Sequence, residues 1–217
     1  MRIVAVGDIH GDLCHFRYIL KAASLIDNRD AWIGEKSILV QMGDMIDRSP
    51  QDSQPDEAFL FLRQLQEKAY EKGGKVVRLL GNHELLILQS DYRYYEQDII
   101  NHMNQGMSPD ELKKQIVCDA MEGRIVGAFS AKRWLFVHGG IRSDVRRRLL
   151  NKENVSHNTC KILETKIDSI LRKAIEKEDF SHEIFTIGRD RGGFDKVGGA
   201  FWTDFESSLC RSDTHET

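Results

Sequence analysis

Apolar residues along the first eighty positions follow two alternating rhythms. Ile3-Val4-Ala5-Val6 and Ser37-Ile38-Leu39-Val40 are short continuous runs of the kind that form buried strands, and Lys75 to Leu80 is a third. Between them Leu13, Phe16, Leu20 and Ala23, and later Ala58, Leu62, Leu65 and Ala69, recur at helical spacing. A loop containing Pro50 and Pro55 leads into the second helix, and Gly73-Gly74 suits its C-terminal cap. The predicted order is βαβαβ: parallel strands, right-handed crossovers and ligand-binding loops at the strands' C-terminal ends.

Further along, Ser108-Pro109-Asp110-Glu111 combines a hydroxyl N-cap, a proline at the first helical position and a glutamate placed to complete a capping box, so a helix is predicted to start there. Arg124 to Ala131 and Arg133 to Val137 read as paired strands. Leu163, Ile167, Ile170, Leu171 and Ala174 form the apolar stripe of a later helix. No internal repeat, low-complexity tract or composition shift marks a boundary, so residues 1–217 are expected to form a single domain.

Composition narrows the function classes. Hydrophobic residues at 41% and charged residues at 30% fit a soluble globular protein, and a net charge of −3 gives no general attraction to nucleic acid or acidic membranes. The first apolar run is interrupted by Asp8, too early for a secretory signal, and no later run is long enough to span a bilayer. A cytoplasmic protein with neither nucleic-acid nor membrane partners is expected. Cys14, Cys118, Cys160 and Cys210 are scattered, with no C-x-x-C pair, which argues against a zinc cage or disulfide framework.

The chemistry sits where the strands end. The first runs into Gly7-Asp8-Ile9-His10-Gly11, the second into Gly43-Asp44-Met45-Ile46-Asp47-Arg48, the third into Gly81-Asn82-His83-Glu84, and the run at 133–137 into His138-Gly139-Gly140. Asp8 and His10, two residues apart, face the same way on extended backbone, so a carboxylate and an imidazole can grip one cation. Adding Asp44, Asn82 and His138 gives a mixed oxygen and nitrogen donor set suited to manganese, iron or zinc. Asp12 reads instead as a helix N-cap, and His15, His102, His157 and His182 lack such company and read as surface or packing residues.

The series G-D-x-H-G, G-D-x-x-D-R, G-N-H-E and H-G-G resembles the calcineurin-like metallophosphoesterases of the phosphoprotein phosphatase superfamily. Asp91-Tyr92-Arg93-Tyr94 after the third loop, Gly123-Arg124 and Phe136-Val137-His138-Gly139-Gly140-Ile141 resemble the Shewanella-like phosphatases. The resemblance implies an α/β fold, a metallophosphatase-type αββα sandwich of two mixed sheets flanked by helices, with its C-terminal strands missing. It also implies one catalytic domain over residues 1–217, and the capping box suggests a helical, cap-like insert at about 85–131.

The resemblance further implies a metal-dependent phosphatase hydrolysing phosphomonoesters, in proteins phosphoserine, phosphothreonine or phosphotyrosine, by direct attack of a metal-bound hydroxide. Two divalent ions, manganese foremost with iron or zinc as alternatives, would be held by Asp8, His10, Asp44, Asn82 and His138, with Asp44 bridging. His83 would protonate the leaving alkoxide, oriented by Asp47, and Arg48 would clamp the phosphate with help from Asn82. The expected partner is a phosphorylated protein or small phosphoester. Alternatives are a dinucleoside polyphosphate hydrolase, or a catalytically weak module that binds phosphorylated ligands. The family's further metal-binding histidine and second phosphate arginine are not found beyond Gly199-Ala200-Phe201-Trp202-Thr203-Asp204; His215 is a stand-in for the first, and Arg191 and Arg211 for the second.

Overall fold

Strand β2, Ile38–Gln41, is buried at all four residues, which is what a strand covered on both faces requires. The computed structural model describes residues 2–150, 159–188, 193 and 198–203, and divides into two compact units, one ending at Ile125 and the other beginning at Val126. His157, Arg191, Asp204, Cys210, Arg211 and His215, all named above, lie outside the described residues.

In the first unit β1, Ile3–Val6, runs parallel to β2 with Ile3 opposite Ile38 and Val6 opposite Gln41. β3, Lys75–Leu79, runs parallel on the other side, with Gln41 opposite Arg78. These are the three strands expected from the apolar runs, and their crossovers are the two expected helices, α1, Leu13–Ala22, and α2, Glu57–Glu71. Phe16 and Leu20 of α1 and Leu62 and Leu65 of α2 are buried, with the Phe16 and Phe61 rings edge to face at 6.0 Å. Asp12 caps α1 by accepting from the His15 N–H at 2.9 Å. Gly73, at φ +75°, closes α2, its N–H on the Tyr70 carbonyl and that of Gly74 on the Ala69 carbonyl.

Three helices follow β3: α3, Asn82–Leu88, α4, Arg93–Asn101, and α5, Pro109–Met121. The capping box at Ser108 is formed as expected, with Glu111 accepting from the Ser108 N–H at 2.9 Å. α5 is bound to the sheet by an ion pair invisible to periodicity: Arg78, on β3 and 2% exposed, donates to Asp119 at 2.6 Å and lies over the Phe59 ring. Arg63 of α2 reaches the other oxygen of Asp119 at 3.2 Å.

The run from Arg124 to Ala131 is not one strand. It divides into β4, Ile125–Val126, the last member of the order β1-β2-β3-β4, and β5, Phe129–Ala131, which pairs antiparallel with β6, Trp134–Phe136. The reason is that the N–H groups of Gly127 and Ala128 donate to Asp168 rather than to a ladder, at 2.8 and 3.2 Å. The second unit also holds α6, Ser143–Leu150, and α7, Thr159–Lys177. Leu163, Ile167, Leu171 and Ala174 of the expected stripe are buried along α7. Among the described residues no helix is long and apolar enough to cross a membrane.

Candidate metal centre

Two of the three glycine-rich loops of the first unit are stitched together by main chain. The N–H groups of Ile9 and His10 both donate to the Asp44 carbonyl at 3.0 Å, and that of Gly11 to the Met45 carbonyl at 2.8 Å. The third loop joins through one side chain. Glu84, buried in the first turn of α3, accepts from Asp44 N–H at 2.9 Å, Met45 N–H at 2.8 Å and Gly81 N–H at 2.9 Å. The His83 N–H in turn donates to the Asp44 carboxylate at 2.9 Å. Gly81 has to lack a side chain here, because a Cβ would sit 2.1 Å from an Asp44 carboxylate oxygen.

The stitched loops hold non-glycine residues in left-handed backbone. His10, Asp44, Asp47 and Arg48 have φ of +49°, +55°, +67° and +59°. Such backbone is costly and persists where surrounding bonds over-determine it, which is common at binding sites.

His10, Asp44 and His83 each offer a ligand atom, all within 4.8 Å of one another, and a carboxylate oxygen of Asp8 comes within the same distance of Asp44. His10 Nδ1 lies 3.1 Å from the Ile46 carbonyl, which fixes the tautomer with hydrogen on Nδ1 and leaves the lone pair on Nε2. With His83 Nδ1 turned to Asp47, the His10 imidazole and the hard carboxylates of Asp8 and Asp44 fit a divalent cation of the manganese, iron or zinc kind, and the cysteines of the first unit, Cys14 and Cys118, are exposed and outside this cluster. Asn82 opens α3 and is half-buried beside His83. His138 belongs to the second unit, just beyond β6. There the N–H groups of Gly139 and Gly140 both donate to the Ala200 carbonyl, so the Gly199–Thr203 segment holds the His138 loop.

His83 and Asp47 form a buried pair, Nδ1 to carboxylate, at 2.5 Å. Burial works against a charged His83 ring, but the bond to Asp47 and the charges of Asp44, Asp47 and Glu84 outweigh it and raise the pKa. Burial also raises that of Asp47, opposed by the bond to His83. The pair therefore keeps a tight hold on its proton. Arg48 is exposed, with a guanidinium nitrogen 3.5 Å from His10 Nε2.

Sequence reasoning gave Tyr94 no role. Its ring is 43% exposed, lies 5.3 Å from that of His83, and has the Arg48 guanidinium 5.9 Å away. His102 is buried rather than superficial, with each ring nitrogen on a main-chain carbonyl. His15 is exposed and paired with Asp12, and His182 caps a short 3-10 turn, Glu183–Phe185.

Strand-end carboxylates and the His10 imidazole on an α/β scaffold define a candidate divalent-metal site beside the buried His83–Asp47 pair. Residues 1–197 match the family model of the calcineurin-like phosphoesterases, and the chain belongs to that family. It is 41% identical over 93 residues to Shewanella-like protein phosphatase 2 of Arabidopsis thaliana, covering 43% of this chain and 23% of that protein. It is 29% identical over 175 residues to Shewanella-like protein phosphatase 1 of Plasmodium berghei, covering 74% of this chain and 46% of that protein. The chain thus spans less than half the length of these curated relatives. The crystal structure of a cold-active protein-tyrosine phosphatase from a psychrophilic Shewanella superposes with a TM-score of 0.65 at 22% identity, over 98% of this chain and 60% of that one, and shows the shared fold. The calcineurin-like phosphoesterases are a family that uses divalent metals.

Proposed function

We propose that the chain is a metal-dependent phosphatase hydrolysing phosphomonoesters in proteins, with Asp8, His10, Asp44, Asn82 and His138 as ligands of two divalent ions, manganese first among them. The observation that carries this reading is the proton-bearing His83–Asp47 pair set beside the metal-ligating atoms of His10 and Asp44. When bound, two such ions polarise the phosphoryl oxygens, neutralise their charge and supply a nucleophile at neutral pH.

The chain's own residues do the rest. His83 turns Nδ1 to Asp47, so Nε2 is the atom that gives a proton to the leaving oxygen. The raised pKa means that the ring holds this proton more tightly than a free imidazole does. Arg48, exposed beside His10, clamps two phosphate oxygens with its planar fork, and Asn82 adds a neutral contact. Tyr94 supports an aromatic leaving group and hence phosphotyrosine, because a ring leaving beside His83 would meet its exposed face. The near-neutral charge supports a partner that is a phosphorylated protein or small phosphoester rather than nucleic acid or membrane.

The test is hydrolysis of p-nitrophenyl phosphate, phosphotyrosine and phosphoserine peptides and a dinucleoside tetraphosphate, with and without manganese. Manganese-dependent turnover of the phosphomonoesters is expected. Turnover of the tetraphosphate alone would make the chain an anhydride hydrolase, and metal binding without turnover would make it a phospho-ligand module.

A further inference from the structure

Asp98 of α4 and His102, the residue that caps its C-terminal end, lie one turn apart, both buried. Asp98 accepts from Ser49 N–H at 3.1 and 3.2 Å and from the Ser49 hydroxyl at 2.7 Å. His102 has Nδ1 2.8 Å from the Asp98 carbonyl and Nε2 2.9 Å from the Pro50 carbonyl. A carbonyl oxygen only accepts, so both bonds form together only when both ring nitrogens carry hydrogen, in the imidazolium. Its setting suits the charge: an Asp98 carboxylate oxygen lies 3.6 Å from Nδ1, and the ring caps the C-terminal, negative end of α4.

Ser49 and Pro50 directly follow Arg48. Asp47 and Arg48 are consecutive left-handed residues, a costly turn that must be pinned at both ends to persist. Upstream the pin is the Asp47–His83 bond; downstream it is Asp98 and His102.

We propose that His102 is a positioning residue: as an imidazolium it ties α4 to the main chain that follows Arg48, so its proton sets how firmly Arg48 is presented to the substrate phosphate. This rests on the reading of Arg48 as the phosphate clamp. Neutral His102 would turn a ring lone pair toward one of its two carbonyls, and repulsion would replace a bond.

The bond to the Pro50 carbonyl, followed by those to Asp98, raises the His102 pKa against the effect of burial. A raised histidine pKa means that the contribution is complete below the ordinary value near 6.5 and is lost as pH climbs through the folded-state value. Among the described residues, Asp98 is the charged group facing the ring from α4; the loop packed against it offers Ser49, Pro50 and Gln51, none of which titrates, followed by exposed Asp52.

The experiment compares His102→Gln with the unaltered chain, loaded with manganese, on p-nitrophenyl phosphate between about pH 6 and 9. At the acid end the variant is expected to show KM raised about 3–10-fold, the equivalent of one lost charge-assisted bond, with kcat within about twofold. Toward high pH the KM of the unaltered chain should rise to meet the variant's flat profile. Parallel profiles, or a fall in kcat at constant KM, would overturn the proposal. Should the variant fail to fold, nitrogen NMR of the unaltered chain decides: hydrogen on both ring nitrogens of His102 at about pH 6.5 is required, and a neutral ring there overturns it. If the chain turns over no phosphoester, the functional reading falls, and the affinity for inorganic phosphate across the same pH range tests His102 in the same way.

Discussion

Each unit gathers a loop with a carboxylate from a helix, but Glu84 and Asp168 do it with different numbers of oxygens. In the first unit Glu84 engages three N–H groups, one oxygen on Met45 and the other on Asp44 and Gly81. In the second, a single oxygen of Asp168 takes both Gly127 and Ala128, while Glu164, one turn earlier on α7, holds Ser130. The first arrangement fixes a candidate metal ligand, since Asp44 is one of the three residues gathered. The second only ends a strand. A carboxylate that uses both oxygens cannot be replaced by its amide without turning a donor onto a donor, whereas one that uses a single oxygen can.

The largest expected effect follows from removing the space under the first knot. Gly81→Ala drives a Cβ into Asp44, while Gly127→Ala crowds a methyl of Ile167 at 2.9 Å and otherwise makes ordinary contacts with Asp168 and Leu171 at 3.5 Å. Gly81→Ala should cost at least about 3 kcal/mol in denaturant unfolding and bring any p-nitrophenyl phosphate turnover to background, against about 1–2 kcal/mol for Gly127→Ala. Comparable losses in the two would erase the contrast.

Next comes Glu84→Gln, expected to lose about 2–3 kcal/mol of stability and, by displacing Asp44, at least about 100-fold in kcat. Asp168→Asn keeps its accepting oxygen and should stay within about 1 kcal/mol of the unaltered chain near pH 8. If the two amides behave alike, the oxygen count is not what matters.

A smaller effect concerns pH. Burial pushes the Asp168 carboxyl up to about 6, from an ordinary value of 3.8. The folded chain therefore holds that proton more tightly than the unfolded chain, and the resulting stabilisation fades as pH rises from about 4 through about 6. The difference in unfolding free energy between the unaltered chain and Asp168→Asn should shift by about 1–3 kcal/mol across that window. An invariant difference would place the titration elsewhere.

The smallest effect concerns a side chain that neither knot holds. Tyr94→Ala should lower kcat/KM about 3–10-fold more for a phosphotyrosine peptide than for a phosphoserine peptide, the worth of one ring contact. An equal loss on both would make Tyr94 a prop for His83 instead.

The three parallel strands and the loops bearing Asp8, His10, Asp44 and His83 were legible because apolar runs and glycine-flanked polar residues are local signals. Glu84 was quoted only as the last letter of G-N-H-E; its partners Asp44 and Met45 lie 40 and 39 residues away. Arg78 is a polar residue inside the apolar run of β3, and its partner Asp119 lies 41 positions further along the chain. His102 read as a solitary histidine because its acceptors are main-chain carbonyls, which carry no residue signature.

By itself the sequence determined the three parallel strands and their two crossover helices, the capping of α1, α2 and α5, and which loops carry ligand-type side chains, since all of these follow from spacing within a few residues. Only the tertiary structure decided that Glu84 ties Asp44 to α3, that His83 Nδ1 meets a buried Asp47, and that both ring nitrogens of His102 face main-chain carbonyls. Those properties depend on which groups meet through space after burial has removed water, and neither proximity nor desolvation is written in the spacing of residues along the chain.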